Sequence, residues 1–434
     1  MFNSSHDHAG FLKLSSALIS GNNVKFRRLA ESKSKDIDLN YKMINGQTLV
    51  YMAAENGNTE AIQILATTGA DVNIANAQGF TPLSTAVQHY HVEAIDALVA
   101  LGADLHKPSI EGATPLYMAA KMGEPKVIQA LIRHGANCST TTAEGDSPIG
   151  CAAENDHYGC VRLLSEGGAD VNQPGGRNQT PLFLAAERGH IDSVKALLEL
   201  GADASLASVD GETPLFVAVS SNRLDVVRTL LGTGVDVNIQ CSDGTSPVYI
   251  AAKSGHTSAL QILIDAGGDV SASRIIAQAA SDGDTPNPDT TGVTPLMMAA
   301  SEDQVDCIRL LVKHGADINT AASDGTTAVV VAAGLSRLHS LRLLYTLGAS
   351  MSITSSPILR SNSSLTHVLG FTRATAMEVA EAALKTIETS CEVCSLVPEK
   401  LMCCGGCRMV KYCSVACQKA DFKKHKKECA LALK

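Results

Sequence analysis

The amino-acid sequence predicts an all-α repeat solenoid, made of helix-turn-helix units with β-turn fingers, followed by a small Cys-rich C-terminal domain. Three observations predict this architecture. A box led by Thr or Ser recurs every 33 residues along most of the chain, and apolar residues recur at helical spacing inside each unit. Eight of the 13 Cys lie between Cys391 and Cys429.

Composition excludes several classes of protein. The chain has 434 residues, of which 45% are hydrophobic and 18% charged, so it does not resemble a disordered chain. Aromatic residues make up only 4% and Trp is absent, which disfavours a protein that binds single-stranded nucleic acid by stacking. Its apolar runs are too short for a membrane span, and its first residues do not resemble a secretory signal. Cys-rich chains of this kind fit a reducing compartment, which predicts an intracellular protein, cytoplasmic or nuclear.

Charge divides the chain at the start of the Cys cluster. Residues 391–434 carry nine Lys/Arg against four Asp/Glu, whereas the preceding 390 residues carry 26 against 40 and a net charge of −14. A basic tail on an acidic body indicates two kinds of domain.

The repeat register is defined by the first residue of each box. The spacing is 33 residues six times, then 48, then 33, so an insertion lies inside an otherwise regular series. The register residues are Thr48, Thr81, Thr114, Ser147, Thr180, Thr213, Ser246, Thr294 and Thr327.

The unit at 178–203 illustrates the predicted local structure. Thr180 can cap a helix whose first turn accepts Pro181, because proline needs no amide partner there. Gly189 is predicted to end this first helix, and Gly201 to end the second. A single unit cannot bury its apolar face alone, so the units must stack.

These residues resemble the ankyrin repeat, and the resemblance covers roughly residues 13–350. It rests on the period, the Thr-Pro-Leu-x-x-Ala-Ala box and the Gly-Ala-Asp ending. The predicted domains are an N-terminal segment with a degenerate capping repeat (1–45), ankyrin repeats (46–350, with an insertion at 271–290), a Ser/Thr-rich linker with a half-repeat helix (351–389) and the Cys-rich domain (391–429).

The resemblance implies that partners bind on the concave face of the solenoid. In ankyrin repeats the finger tips and the exposed ends of the first helices make such contacts. The corresponding positions here differ in size and charge from unit to unit, and each could equally be plain solvent-exposed surface. The candidate partner-binding residues are Phe80, Gln88, His89, Lys121, Met122, Glu187, Arg188, Glu212, Lys253 and Ser254.

The tail carries four pairs of zinc-ligand residues. The pairs are Cys391 with Cys394, Cys404 with Cys407, Cys413 with Cys417, and His425 with Cys429. Eight such ligands suffice for two tetrahedral zinc ions, and full protein ligation predicts structural rather than catalytic metal. So short a domain would depend on the metal for its folding.

This tail resembles the MYND zinc finger, notably in Lys411-Tyr412-Cys413-Ser414 and His425-Lys426-Lys427-Glu428-Cys429. The resemblance implies interleaved pairs, with Cys391, Cys394, Cys413 and Cys417 on one zinc and Cys404, Cys407, His425 and Cys429 on the other. Cys403 stands beside Cys404 as an alternative ligand. The resemblance also implies that the finger binds short proline-containing peptides, although Phe422 replaces the Trp common in the family.

Other chemistry is not predicted. Walker, serine-hydrolase and zinc-protease motifs are missing, so we expect no enzymatic activity. The basic run 423–427 is short, and the acidic body would repel phosphate, so nucleic acid is a disfavoured partner, as is a membrane. The sequence therefore predicts a protein–protein interaction scaffold or adaptor. The alternative is a nuclear transcriptional regulator whose finger contacts corepressors or nucleic acid.

Overall fold

A computed structural model of the chain describes residues 4–33, 38–274, 292–323 and 325–350, together with 402–403 and 411–412. The chain forms two compact units. One comprises Met1–Val209 and Thr213–Val235, and the other comprises Asp210–Glu212 and Asp236–Lys434. In both units the described backbone is a succession of short helix pairs, which confirms the predicted all-α repeat class.

Two helices precede the complete repeats, and each repeat then contributes a first and a second helix. The leading helices are α1 (Ser4–Ile19) and α2 (Asn23–Lys33). The pairs are α3 (Leu49–Glu55) and α4 (Thr59–Thr67), α5 (Pro82–Gln88) and α6 (Val92–Ala100), α7 (Pro115–Met122) and α8 (Pro125–Arg133), α9 (Pro148–Glu154) and α10 (Tyr158–Glu166), α11 (Pro181–Arg188) and α12 (Ile191–Glu199), α13 (Pro214–Ser220) and α14 (Leu224–Leu231), α15 (Pro247–Ser254) and α16 (Thr257–Asp265), α17 (Pro295–Ser301) and α18 (Val305–Lys313), α19 (Ala328–Gly334) and α20 (Leu338–Thr346).

The register residues are the N-caps of the first helices. Each of the nine predicted Thr and Ser side chains accepts a hydrogen bond from the backbone amide three residues further on. Proline follows the cap in every described first helix except α3 and α19. Capping satisfies an amide that would otherwise lack a partner, so the box fixes where each helix begins.

Glycine ends the helices where the sequence predicted it. Gly189 is the C-cap of α11 with φ 85°, and Gly201, just beyond α12, has φ 90°. A residue with a Cβ rarely adopts this left-handed conformation, so these positions stop the helix and start the turn.

The core of each unit lies between stacked helices. In the first unit, the first helices contact one another in the order α3, α5, α7, α9, α11 and α13, and the second helices follow the same order from α2 to α14. In the second unit the corresponding series are α15, α17, α19 and α16, α18, α20. Leu182, Ala185 and Ala186 are completely buried, and the small alanines let neighbouring helices approach closely.

The leading helix begins earlier than the sequence comparison suggested. The resemblance starts near residue 13, whereas α1 begins at Ser4. Phe11 and Leu14 are buried within α1, so this helix is anchored through its own apolar face and extends beyond the part that matches a repeat.

The insertion leaves and rejoins the chain at one finger. The backbone amide of Arg274 donates to the Val293 carbonyl at 2.8 Å, and the amide of Gly292 donates to the Arg274 carbonyl at 3.2 Å. The two ends are therefore adjacent, which explains how the repeat tolerates extra residues. Most of the predicted insertion, 275–290, lies outside the described residues, as does the predicted linker at 351–389.

Candidate interaction surface and metal finger

The fingers are joined to one another through their backbones. In the first unit the Ala77 amide donates to the Asn45 carbonyl at 3.1 Å, and the Ile110 amide donates to the Gln78 carbonyl at 3.2 Å. In the second unit the Ser242 amide donates to the Asp210 carbonyl at 2.9 Å. These bonds hold the tips at a fixed spacing within each unit, so the side chains on them are presented on an ordered backbone.

Three tips carry large apolar side chains that face solvent. Ile44 is 109% exposed, Ile110 is 76% exposed and Val209 is 61% exposed. We name Ile44, Ala77, Ile110, Ala143 and Val209 the tip row, since all occupy the same repeat position in the first unit. Sequence reasoning missed this row because it considered only the residue after each turn Gly. Aligning the units at 33 residues would have found it.

The two predicted finger residues lie closer to the helices than the tip row. Phe80 is half-buried, and its amide donates to Asn76 Oδ1 at 3.0 Å. Glu212 is half-buried as well. Both positions directly precede an N-cap, so their backbones are committed to the helix start and their side chains are only partly available.

The other predicted residues lie at the C-terminal ends of first helices. Those exposed are His89, Lys121, Arg188, Lys253 and Ser254, and those half-buried are Gln88, Met122 and Glu187. In the first unit they lie on consecutive first helices that pack side by side. The structure thus brings the members in each unit onto one run of helix ends, whereas Phe80 and Glu212 belong to the fingers.

Arg188 is already paired within the array. Its Nη2 lies 2.7 Å from Glu154 Oε1 of the preceding repeat, and this hydrogen bond raises the pKa of Arg188 above its ordinary value. The Arg188 side chain is 54% exposed, so the pair contributes little to stability. A partner carboxylate would have to compete with Glu154 for this guanidinium.

A coupling between neighbouring repeats was also missed. His91 Nε2 lies 3.0 Å from the Glu55 carbonyl at the end of α3, and His157 Nε2 lies 3.2 Å from the Lys121 carbonyl at the end of α7. A Cβ added at Gly57 would come within 2.7 Å of the His91 ring. Glycine at this turn therefore makes room for the next repeat as well as ending a helix, a role that only the packed structure reveals.

The predicted zinc ligands Cys391, Cys394, Cys404, Cys407, Cys413, Cys417, His425 and Cys429 lie outside the described residues. The described part of the tail is a two-stranded antiparallel pair, β1 (Met402–Cys403) and β2 (Lys411–Tyr412), with Cys403 opposite Lys411. This pairing brings the backbone just before Cys404 next to the backbone just before Cys413. Thiolate and imidazole donors from adjoining segments fit a zinc site.

No group of three or more metal-ligating side chains occurs among the residues that the structure describes. The five Cys of the array (Cys138, Cys151, Cys160, Cys241 and Cys307) are buried and separate. Burial raises the pKa of Cys160 to about 11 and that of Cys241 to about 12, so both thiols are protonated at neutral pH.

Comparison with protein families agrees with this architecture. The family described as ankyrin repeats (three copies) matches residues 14–109, 101–175, 171–241, 233–321 and 275–355, which together exceed half of the chain. The chain belongs to the ankyrin repeat family. The MYND finger family matches residues 391–429, so this ankyrin repeat protein carries a C-terminal MYND finger, a zinc-binding module.

Curated relatives match over a short stretch. The human and mouse histone-lysine N-methyltransferase SMYD3 are 54% identical over 39 residues and 50% identical over 40 residues, respectively. Each match covers 9% of this chain and 9% of the relative, so the chain spans less than a tenth of the length of these proteins. That likeness is confined to the finger and does not extend to a methyltransferase domain.

Solved ankyrin repeat domains are also similar. The ankyrin repeat domain of Bcl-3 is 28% identical with a TM-score of 0.47, covering 50% of this chain and 97% of that domain. The human ASB11 ankyrin repeat domain is 27% identical with a TM-score of 0.46, covering 51% and 99%. Among the described residues, none of the helices is both long and apolar enough to cross a membrane.

Proposed function

We propose that this ankyrin repeat protein is a non-enzymatic scaffold or adaptor. It would hold one protein partner on the concave face of the repeats and a second through the zinc finger, as a short, proline-containing peptide. Ankyrin repeats and MYND fingers both serve protein–protein interaction, and two modules on one chain raise the effective concentration of the second partner.

The observation that carries this proposal is the contrast between constant backbone and variable side chains. The N-caps and buried alanines recur from repeat to repeat, and the tips are bonded to each other. At the same helix-end position the chain presents His89, Lys121 and Arg188 in different repeats. Such a surface offers fixed positions with distinct chemistry, which is what selective recognition of another protein requires.

For the finger, we propose two structural zinc ions. Cys391, Cys394, Cys413 and Cys417 would hold one ion, and Cys404, Cys407, His425 and Cys429 the other, with Cys403 left free. The strand pairing of Met402–Cys403 with Lys411–Tyr412 supports a fold in which the two ligand groups interleave. Zinc supplies the bonds that close the finger, while the chain supplies eight ligands and leaves no position for substrate.

We propose the same division into domains that the sequence indicates. Residues 1–45 form the N-terminal cap, 46–350 the repeat array, 351–389 a linker and 391–429 the finger. The array would act as the rigid part, and the linker would set how far the finger can reach.

Affinity capture with the full-length protein tests the adaptor function. Cys413→Ser should lose finger partners by at least about tenfold and retain array partners. Ile110→Glu in the tip row should do the reverse. Leu338→Glu, at an exposed site on a second helix (53% exposed), is the matched control and should change neither set. If wild-type protein retains no partner that either surface variant loses, the adaptor function is wrong.

A further inference from the structure

One first helix lacks the side chain that its neighbours carry. Gly150 in α9 occupies the repeat position held by Tyr117 in the preceding repeat and by Phe183 in the next. Glycine inside a helix destabilises it by about 0.5–1 kcal/mol relative to alanine, so the position is unfavourable for folding alone. The missing side chain leaves a cleft between the repeats of α7, α9 and α11.

The cleft lies entirely within the first unit. It encloses about 250 Å³ of space, part of it open to solvent, and is lined by Tyr117, Asp146, Gly150, Cys151, Glu154 and Leu184 among others. Small-molecule sites usually enclose roughly 300–1,000 Å³. This cleft is smaller, so its dimensions suit one side chain of another protein better than a free ligand of ordinary size.

The charged groups at the cleft are acidic. Asp146 and Glu154 are among its lining residues, and no Lys or Arg is. The Asp146 carboxylate accepts only a long hydrogen bond from the Gly176 amide, 3.4 Å from Oδ1. Glu154 is bound at one oxygen by Arg188, which lies outside the cleft lining. Asp146 therefore has unused capacity to accept hydrogen bonds from a cation.

The inner wall is apolar and chemically quiet. Leu184 contributes an aliphatic surface, and the Tyr117 hydroxyl is hydrogen-bonded to the Cys151 thiol. Cys151 is 5% exposed, and burial raises the pKa of its thiol, which makes the neutral form dominant at neutral pH. The cleft therefore combines a wall suited to methylene groups with carboxylates suited to a positive end.

We propose that this cleft receives a lysine or arginine side chain of the protein partner that binds the repeat array. The side chain would lay its methylene groups along Leu184 and Gly150 and direct its cation to Asp146, with Glu154 as a second acceptor. The proposal rests on the adaptor function and adds the chemistry of the partner residue. Gly150 and the adjoining Gly175 keep the cleft open, because a Cβ at Gly175 would lie 3.3 Å from Asp146 Oδ1.

The test uses full-length protein labelled with 3-fluorotyrosine, with the Tyr117 ¹⁹F signal assigned through Tyr117→Phe. The probes are the acetyl-methylamides of arginine, lysine and citrulline, of which citrulline is the neutral isostere of arginine. We expect both cationic probes to shift the Tyr117 signal saturably, in the millimolar range, and citrulline to leave it unchanged. Gly150→Tyr should abolish the shift, and Asp146→Asn should weaken binding on the order of tenfold.

Glu111→Gln is the matched control, since it removes an exposed carboxylate that does not line the cleft. It should leave the affinity unchanged, and Asp146→Asn keeps the test valid if Gly150→Tyr fails to fold. An equal response to citrulline, equal weakening by the Asp146 and Glu111 variants, or no shift would overturn the proposal. These outcomes read the cleft alone, whereas failure of the adaptor function would appear as the absence of captured partners.

Discussion

The repeat array and the finger differ in what stabilises them. The array buries a repeating set of apolar side chains, including Leu65, Leu98, Leu131, Leu164 and Leu197, each fully buried on its second helix. The finger is a short segment with four pairs of metal-ligand residues. A segment of that length cannot bury enough apolar surface to fold alone, so its stability is expected to come from zinc.

This difference teaches that the two modules should fail separately. In the array the loss of one contact is shared among neighbouring repeats, because each repeat contacts only those beside it. In the finger each ligand belongs to one metal site, so the loss of one ligand should disable that site outright. The predictions below are ordered from the largest expected effect to the smallest.

Removing one zinc ligand should have the largest effect. Cys404→Ser should lower the zinc content from two ions per chain to one or fewer, because structural zinc sites contribute about 10–16 kcal/mol to folding. Native mass spectrometry of the full-length protein measures this directly. Cys403→Ser, which changes the neighbouring thiol, is the control and should keep both ions. The reverse result would assign Cys403 as the ligand.

A cavity in the array should cost less and spare the finger. Leu197 in α12 is fully buried, so Leu197→Ala should lower the free energy of unfolding by about 2–5 kcal/mol. Urea unfolding followed by helical circular dichroism measures it. Ile110→Ala, at an exposed tip, should change this free energy by less than about 0.5 kcal/mol. Zinc content should stay constant in both variants, and a loss of zinc in Leu197→Ala would show that the modules are coupled.

Removing a helix cap should have a moderate effect. The Thr180 side chain accepts a hydrogen bond from the Phe183 amide at 3.2 Å, so Thr180→Ala should cost about 0.5–2 kcal/mol in urea unfolding. Thr229→Ala is the matched control, because Thr229 lies inside α14 and only donates to the Asp225 carbonyl. Alanine favours a helix interior, so the control should be neutral or slightly stabilising. Equal losses in both would argue against the capping role of the box.

The smallest expected effect is a pH dependence in the second unit. Burial raises the pKa of Asp303, but hydrogen bonds from Ser340 and His339 outweigh it and leave that pKa below the ordinary value of 3.8. The resulting stability is present above pH 3.8 and is lost as pH falls through the lower folded value.

Asp303→Asn should therefore flatten the acid side of the stability–pH curve, as measured by thermal unfolding between pH 2 and 6. Ser340→Ala, which removes a hydroxyl 2.8 Å from Asp303 Oδ1, should flatten it partly. An unchanged slope in both variants would show that this carboxylate does not contribute to acid stability.

The sequence determined the start of each first helix because the signal is local. The Thr or Ser cap, the following proline and the later glycine each act within a few residues, so Thr180 and Gly189 could be assigned from the chain alone. The insertion was also recognised, because the register resumes at Thr294. The start of α1 at Ser4 was not predicted, since it depends on the burial of Phe11 rather than on a repeat motif.

The candidate surface was less predictable because it depends on neighbours. The cleft at Gly150 exists because Tyr117 and Phe183 project from adjacent repeats while Gly150 has no side chain. The pairing of Arg188 with Glu154 and the contact of His91 with the Glu55 carbonyl likewise join different repeats. Aligning units shows that such positions are unusual, but only packing shows what fills or leaves the space. The eight predicted zinc ligands stay a prediction.

Hydrogen exchange of the full-length protein, followed by mass spectrometry before and after chelation of zinc, tests the central claim most directly. The account predicts that peptides from 391–429 lose their protection while peptides from the helices between 49 and 346 keep theirs. Added zinc should then restore the protection of 391–429. Loss of protection in the repeat helices on chelation, or an unchanged finger, would contradict the claim that burial holds one module and metal the other.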